Sequence, residues 1–74
     1  MFKMKIEKQL NLKDRSLLLG FAEFKTIPEY IIVGNTKYKI IGLSSGVKLP
    51  YISVEIERIN ENLVGKIVMS DDWV

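Results

Sequence analysis

The chain has 74 residues, 47% of them apolar, and its 11 Lys and Arg against 9 Asp and Glu give a formal net charge of +2. This length accommodates one domain with one core, and the mildly basic balance permits but does not require binding to nucleic acid or an anionic surface. The sequence contains no cysteine and no histidine, which excludes disulfides, thiolate nucleophiles, the commonest general base and the commonest transition-metal ligand.

Residues 2–12 alternate apolar and polar side chains, as a strand with one buried face does. The apolar positions are even-numbered: Phe2, Met4, Ile6, Leu10 and Leu12. Lys8 breaks the alternation, which indicates either a β-bulge or a lysine whose stem packs while its charge reaches water. A polar turn at residues 13–15 leads into residues 17–24, whose apolar character on both faces predicts a central strand with a bend or close backbone approach at Gly20.

A hairpin is the strongest local prediction of the sequence. Pro28 ends the preceding element, and residues 30–33 and 36–40 flank Gly34-Asn35, a two-residue loop that suits a primed turn. This turn pairs Val33 with Thr36 and, further out, Tyr30 with Lys39. We expect a shift of phase at residues 41–43 and a loop at Ser44-Ser45-Gly46.

Residues 51–63 fit two templates. As a strand they place Ile52, Val54 and Ile56 on one face, and as a helix they place apolar residues at spacings of three and four with Gly65 as a C-terminal cap. The β-branched residues and Pro50 before them favour the strand. Residues 67–69 predict a last short strand, and residues 70–74 a polar tail in which Trp73 caps the barrel or anchors a partner.

Together these elements predict a single all-β domain over residues 1–74, a small closed six-stranded barrel of Greek-key type. The longest apolar run, residues 17–22, is too short to span a bilayer, so we expect a soluble, unprocessed chain with no membrane partner. The lack of cysteine favours a cytoplasmic location.

The outer face of the predicted hairpin is the best candidate binding surface. It places Tyr30 and Ile32 beside Lys37 and Lys39, and the polar side of the first strand adds Lys3 and Lys5. An aromatic ring among cations suits single-stranded nucleic acid, because bases stack on the ring while ammonium groups meet phosphates. The alternative is that the lysines protect an exposed strand from edge-to-edge aggregation.

The sequence offers no catalytic, metal or cofactor site. Ser44-Ser45-Gly46 has no histidine base and no nucleophile elbow, and reads as a turn. The carboxylate pairs, Glu55 with Glu57 and Asp71 with Asp72, lack the further oxygen ligands of a cation site and read as solvated. There is no phosphate-binding Gly-x-x-x-x-Gly-Lys-Ser/Thr loop. We therefore expect a protein that is not an enzyme.

The order of these signals resembles the second domain of the translational GTPases, the barrel of elongation factor Tu and its relatives. Residues 2–23 resemble that family's opening hairpin, in which Arg15 is the one residue kept from a Gly-Arg-Gly turn. Residues 28–33 resemble its Gly-Asp-x-Val-x-Ile strand, and residues 52–68 its Val-x-Leu-x-Leu-x-Gly-Ile and Gly-x-Val-Leu segments. Asp14, Ser16 and Pro28 stand where the family has glycines, and Leu49-Pro50 where it has Gly-Asp.

The resemblance implies a barrel that contacts ribosomal RNA and the acceptor end of tRNA, and it adds Arg15 to the candidate RNA contacts. GTPase chemistry is not implied, since it belongs to a separate domain of that family. The sequence thus favours a binding module for RNA or a ribonucleoprotein. The competing interpretation is a protein-interaction or regulatory subunit that uses Tyr30, Ile32 and Tyr51 as apolar contacts and associates with itself.

Overall fold

The computed structural model describes residues 2–24, 26–45 and 51–70, which form seven β-strands and no helix. The strands are β1 (Phe2–Lys5), β2 (Lys8–Asn11), β3 (Arg15–Phe24), β4 (Tyr30–Val33), β5 (Thr36–Ser45), β6 (Tyr51–Glu57) and β7 (Ile67–Ser70). Because the described segments contain no helix, they contain no helix that could cross a membrane. The predicted all-β class is confirmed, including the strand assignment of residues 52–56.

Six of the strands close into an antiparallel barrel. Its order is β1, β7, β4, β5, β6 and β3, and β3 pairs back with β1 to complete the ring. Strands β4, β5 and β6 are successive neighbours and β7 returns beside β4, which is the Greek-key order. The predicted six-stranded barrel is thus confirmed, and β2 is a seventh strand that lies beside β3 outside the ring.

The barrel interior is filled by alternate side chains that its strands turn inward and by two residues of the connections, Ile6 and Leu63. Each of them is at most 8% exposed, and together they form one apolar cluster, which comprises Phe2, Met4, Ile6, Leu18, Ala22, Ile31, Val33, Tyr38, Ile52, Val54, Ile56, Leu63 and Val68. Most are β-branched or aromatic, the residue types that fit a pleated, half-buried surface. Burial of this cluster is the main stabilising contribution in so short a chain.

A β-bulge divides the predicted first strand in two. The Glu7 amide donates to the Leu19 carbonyl at 2.8 Å, and Lys8 is the register partner of the same leucine, so two residues lie opposite one. The extra residue reverses the alternation, because the side-chain period of a strand is two. Leu10 and Leu12 therefore face outward, 49% and 46% exposed, and their predicted place on the buried face is wrong.

The inward side chains of β2 are polar and hold the β6–β7 connection across the end of the barrel. The Gln9 side chain accepts from the Leu63 amide at 2.7 Å and donates to the Glu61 carbonyl at 2.7 Å. Ser16 Oγ accepts from the Ile59 amide at 3.0 Å and donates to Asn11 Oδ1 at 2.8 Å. This network satisfies backbone groups that would otherwise be costly to bury.

Two further boundaries and the exposure of one residue differ from the sequence prediction. Ser44 and Ser45 are not in a loop but in β5, which pairs with β6 up to Ser45 and accommodates the expected phase shift as an irregularity between Ile40 and Gly42. Ser70, assigned to the polar tail, ends β7 and is buried, where its Oγ accepts from the Phe2 amide at 3.1 Å. Phe21 is 55% exposed, because the second face of β3 is turned to solvent.

The β4–β5 hairpin has the predicted register, from Val33 opposite Thr36 to Tyr30 opposite Lys39. Gly34 has a positive φ of +63° and Asn35 does not, which matches the φ pattern of a type II′ turn. We expect Gly34→Val to lower the free energy of unfolding by about 1–3 kcal/mol through backbone strain alone, since no atom lies within 4 Å of the added Cβ. Urea denaturation measures this change. Asn35→Gly is the control and should be nearly neutral, and an unchanged midpoint for Gly34→Val would contradict the turn assignment.

Candidate functional site

The outer face of the hairpin carries the predicted aromatic and basic side chains together. Tyr30 and Ile32 are half-buried, whereas Lys37 and Lys39 on the paired strand are exposed. The Lys37 ammonium lies 4.6 Å from the centroid of the Tyr30 ring. Such a cation–π contact at an exposed site contributes about 0.5–1 kcal/mol. The Tyr30 ring therefore presents one of its faces to a cation.

Strand β7 joins this hairpin to the lysines of β1. Met69 is the register partner of Ile32 on one side and of Lys3 on the other, and Ile67 is the partner of Lys5. Paired residues share a face of a sheet, so the side chains of four strands form one continuous outer surface about 14 Å wide. We call it the lysine face, and it comprises Lys3, Lys5, Lys37, Lys39, Tyr30, Ile32, Ile67 and Met69.

The lysine face continues into a shallow groove of about 380 Å³ beside β3. Phe21 forms one wall and Ile67 is 41% exposed at the other, with Lys3 and Lys5 along the groove. The Phe21 ring makes an edge-on contact with Tyr51, with 4.9 Å between the ring centroids. Tyr51 thus supports the exposed phenylalanine from its far side, and the groove adds a second aromatic surface next to cations.

Charge on the lysine face is predominantly positive. Glu23 is opposite Lys3 on β3 and provides a carboxylate at one margin. Lys5 and Lys39 form no ion pair with any residue in the described part of the chain. An anion that approaches this surface therefore meets several ammonium groups whose combined field attracts it.

Arg15 lies elsewhere and already has acidic partners. It stands at the opposite end of β3 from Glu23, where its guanidinium forms ion pairs with Asp14 at 3.2 Å and with Glu55. The hydrogen bond from Arg15 lowers the pKa of the Asp14 carboxyl, and the same bond raises the pKa of Arg15. These two acidic partners offset the positive charge of Arg15, and the structure does not bring this residue to the lysine face.

Other polar groups considered from the sequence have structural partners or positions of their own. Glu55 is half-buried and bound to Arg15, whereas Glu57 is exposed beside it. Asp71, Asp72 and Trp73 lie outside the described residues. In the described segments no three acidic side chains are close enough to bind a metal ion together.

The sequence does not predict a surface role for three residues of the lysine face and its groove. It places Met69 and Ile67 only in a short last strand, and Phe21 only within a central strand. The available signal for Phe21 is the alternation in β3, where Leu18 and Ala22 are buried and the odd-numbered side chains take the opposite face. For Met69 and Ile67 no local signal exists, since their neighbours are set by the strand order.

Comparison with known proteins adds no family assignment. No family model matches the chain, and no curated protein or solved structure gives a significant match. Fold alone is a weak guide to function, because one architecture supports many activities. The functional argument therefore depends on the geometry and charge of the lysine face.

Proposed function

We propose that this chain is a non-catalytic binding module that contacts single-stranded RNA, free or within a ribonucleoprotein, through the lysine face. The observation that carries the proposal is the continuous register across β5, β4, β7 and β1, which places lysines of the hairpin and of β1 on the same outer surface as Tyr30. Sheet surfaces that present an aromatic ring among cations suit unpaired bases, since every base has a face that can stack.

Stacking of a base on Tyr30 requires the Lys37 ammonium to leave the ring. The exposed cation–π contact is worth about 0.5–1 kcal/mol, whereas a stacked base contributes about 1–3 kcal/mol. A stacked base is thus worth more than the contact that it replaces. Lys37 is thus well placed to move from the Tyr30 ring to a phosphate of the RNA when the RNA binds.

The sequence resemblance to the second domain of the translational GTPases also supports RNA as the ligand, because that barrel contacts ribosomal RNA and tRNA in its family. Arg15 is the exception in this resemblance. Its two carboxylate partners make it a poor phosphate ligand, so the proposal does not use it.

Substituting the hairpin lysines tests the proposal. We expect Lys37→Ala with Lys39→Ala to weaken binding to a labelled single-stranded RNA and to reduce the salt slope by roughly 1.4, because each phosphate contact contributes about 0.7 to the slope of log affinity against log salt. Tyr30→Ala should weaken binding by about 1–3 kcal/mol and leave the slope nearly intact. Fluorescence anisotropy at several salt concentrations measures both quantities.

The matched control removes two exposed cations away from the lysine face, Lys13 and Arg58. Lys13→Ala with Arg58→Ala makes the same change in net charge and should leave affinity and slope close to those of the unchanged protein. Equal losses in the two double variants would mean that only net charge matters and would refute the lysine face as the site.

A protein partner is the second candidate, and the exposed apolar side chains of the groove favour it. Phe21 and Ile67 offer apolar surface that a folded partner could bury. Salt distinguishes the two functions, because phosphate contacts weaken steeply with ionic strength while apolar contacts do not. Binding to a partner that persists at high salt and tolerates the lysine substitutions would favour this second function.

A further inference from the structure

The groove beside β3 has an aromatic wall next to lysines. Phe21 is 55% exposed and lines the groove together with Ile67, Lys3 and Lys5. The ring of Tyr51 contacts that of Phe21 but does not line the groove, so it supports Phe21 from the side away from the groove. The other side of the Phe21 ring is therefore open to a flat ligand that enters the groove.

Phe21 and Tyr30 lie far apart on the same side of the sheet. Strands β1 and β7 lie between β3 and β4, and the three strand spacings span about 14 Å. Followed through β7 and β1, the register also displaces the two residues by about four positions along the strands, which is about 13 Å. The two rings are therefore separated by about 19 Å along the surface of the sheet.

The surface between the two rings is basic. Lys3 and Lys5 of β1 lie on it, both are exposed, and both also border the groove. Glu23 is the one carboxylate among the described residues that line the groove. An apolar protein segment in the groove would remove these charges from water, which is unfavourable, whereas a polyanion would bind them. The charges therefore favour RNA over a protein as the occupant of the groove.

We propose that the groove between Phe21 and Ile67 is a second base-binding subsite, in which one base of an RNA strand stacks on Phe21 while another base of the same strand stacks on Tyr30. This inference rests on the proposed function, because it extends the lysine face by one subsite. Lys3 and Lys5 bind phosphates between the two stacked bases. Every base has a face that can stack, so neither subsite requires a particular sequence.

The separation of the two rings sets a minimum length for the RNA. Neighbouring bases of a stacked strand are about 3.4 Å apart, so a dinucleotide cannot reach both rings. A strand that reaches both contains about four to seven nucleotides, according to how far its backbone is extended. This length lies within the roughly 4–16 nucleotides that small single-strand-binding barrels cover. When one molecule occupies both subsites, its second contact is intramolecular, which raises its affinity above that of either contact alone.

A series of RNA lengths tests the second subsite. Fluorescence anisotropy at low salt measures the affinity of the full chain for labelled uridine oligomers of about two to ten nucleotides. We expect a steep gain in affinity of roughly 5- to 100-fold once an oligomer reaches both rings, because one stacked base contributes an effect of this size. Phe21→Ala should remove that gain and leave the affinity for the shortest oligomers nearly unchanged.

Two further variants of Phe21 distinguish stacking from apolar packing. Phe21→Tyr keeps an aromatic ring and should keep the gain with length, whereas Phe21→Leu keeps only apolar surface and should lose it. Leu10→Ala is the matched control, because Leu10 is also an exposed apolar residue, 49% exposed, but lies on β2. This control should bind every oligomer as the unchanged protein does.

The outcomes distinguish failure of the second subsite from failure of the proposed function. If Tyr30→Ala weakens the binding of long oligomers and Phe21→Ala does not, the second subsite is wrong and the proposed function stands. Full retention of the gain by Phe21→Leu, or an equal loss in Leu10→Ala, would also overturn the second subsite. If no oligomer binds at low salt, the proposed function and the second subsite are both wrong.

Discussion

Replacing Gly20 with alanine is expected to destabilise the protein more than the same exchange at any other glycine that the structure describes. A Cβ at this position would collide with the backbone carbonyl oxygen of Lys5 and would lie 3.2 Å from Met4 Cγ. The obstacle is backbone, which cannot move without breaking the pairing of β1. We expect a loss of about 3 kcal/mol, a large share of the roughly 4–11 kcal/mol typical for a chain of this length.

Gly42→Ala is the matched control, since Gly42 also lies within a strand. Its added Cβ would meet the Glu55 carboxylate at 3.0 Å, and that flexible side chain can move aside. The cost should stay under about 1 kcal/mol, because the ion pair it disturbs lies near the surface. Urea denaturation of both variants separates the cases, and equal midpoints would contradict the close approach of β1 and β3.

Phe2→Ala is expected to have the other large effect, about 3–5 kcal/mol, the usual cost of truncating a buried phenylalanine. Phe2 is fully buried, and its ring centroid lies 5.6 Å from that of Phe24. Its strand pairs with both β3 and β7, so the cavity would open at the closure of the barrel. Thermal and urea unfolding measure the loss.

Phe21→Ala provides the comparison within the same residue type. Phe21 is 55% exposed and its main ring contact is with Tyr51, so the expected cost is about 1 kcal/mol. A loss for Phe2→Ala as small as that for Phe21→Ala would mean that the first strand does not close the barrel.

The sequence predicts those parts of the fold that neighbouring residues determine. The two-residue turn at Gly34-Asn35 sets the register of the hairpin, and the β-branched run at residues 52–56 identifies β6. The face with Tyr30, Ile32, Lys37 and Lys39 follows from that register. These features need no information from elsewhere in the chain.

Features that depend on distant residues could not be predicted in the same way. Ile6, which precedes the bulge, bonds to the residues before β7: its amide donates to the Lys66 carbonyl at 3.0 Å and its carbonyl accepts from the Gly65 amide at 2.8 Å. Those partners are some sixty residues away in sequence, so the alternation alone could not show that Leu10 and Leu12 turn outward. The bulge is visible only as the broken phase at Lys8.

The candidate site likewise combines residues that the local sequence identifies with residues that only the strand order brings together. The alternation of the first strand puts Lys3 and Lys5 on its polar side, and the physical link between them and the hairpin is β7, which lies between β4 and β1. Strand order is set by the packing of the whole barrel, so the roles of Met69 and Ile67 depend on it. The position of Arg15 beside Glu55 likewise follows from the β3–β6 pairing.

The most direct test of the central claim is the salt dependence of RNA binding by the unchanged protein. Titration of a labelled single-stranded RNA at several salt concentrations should show weak binding that decreases with salt. Four phosphate contacts, one for each lysine of the lysine face, predict a slope of about −2.8 in log affinity against log salt. The absence of binding at low salt, or binding with a slope near zero, would contradict the account.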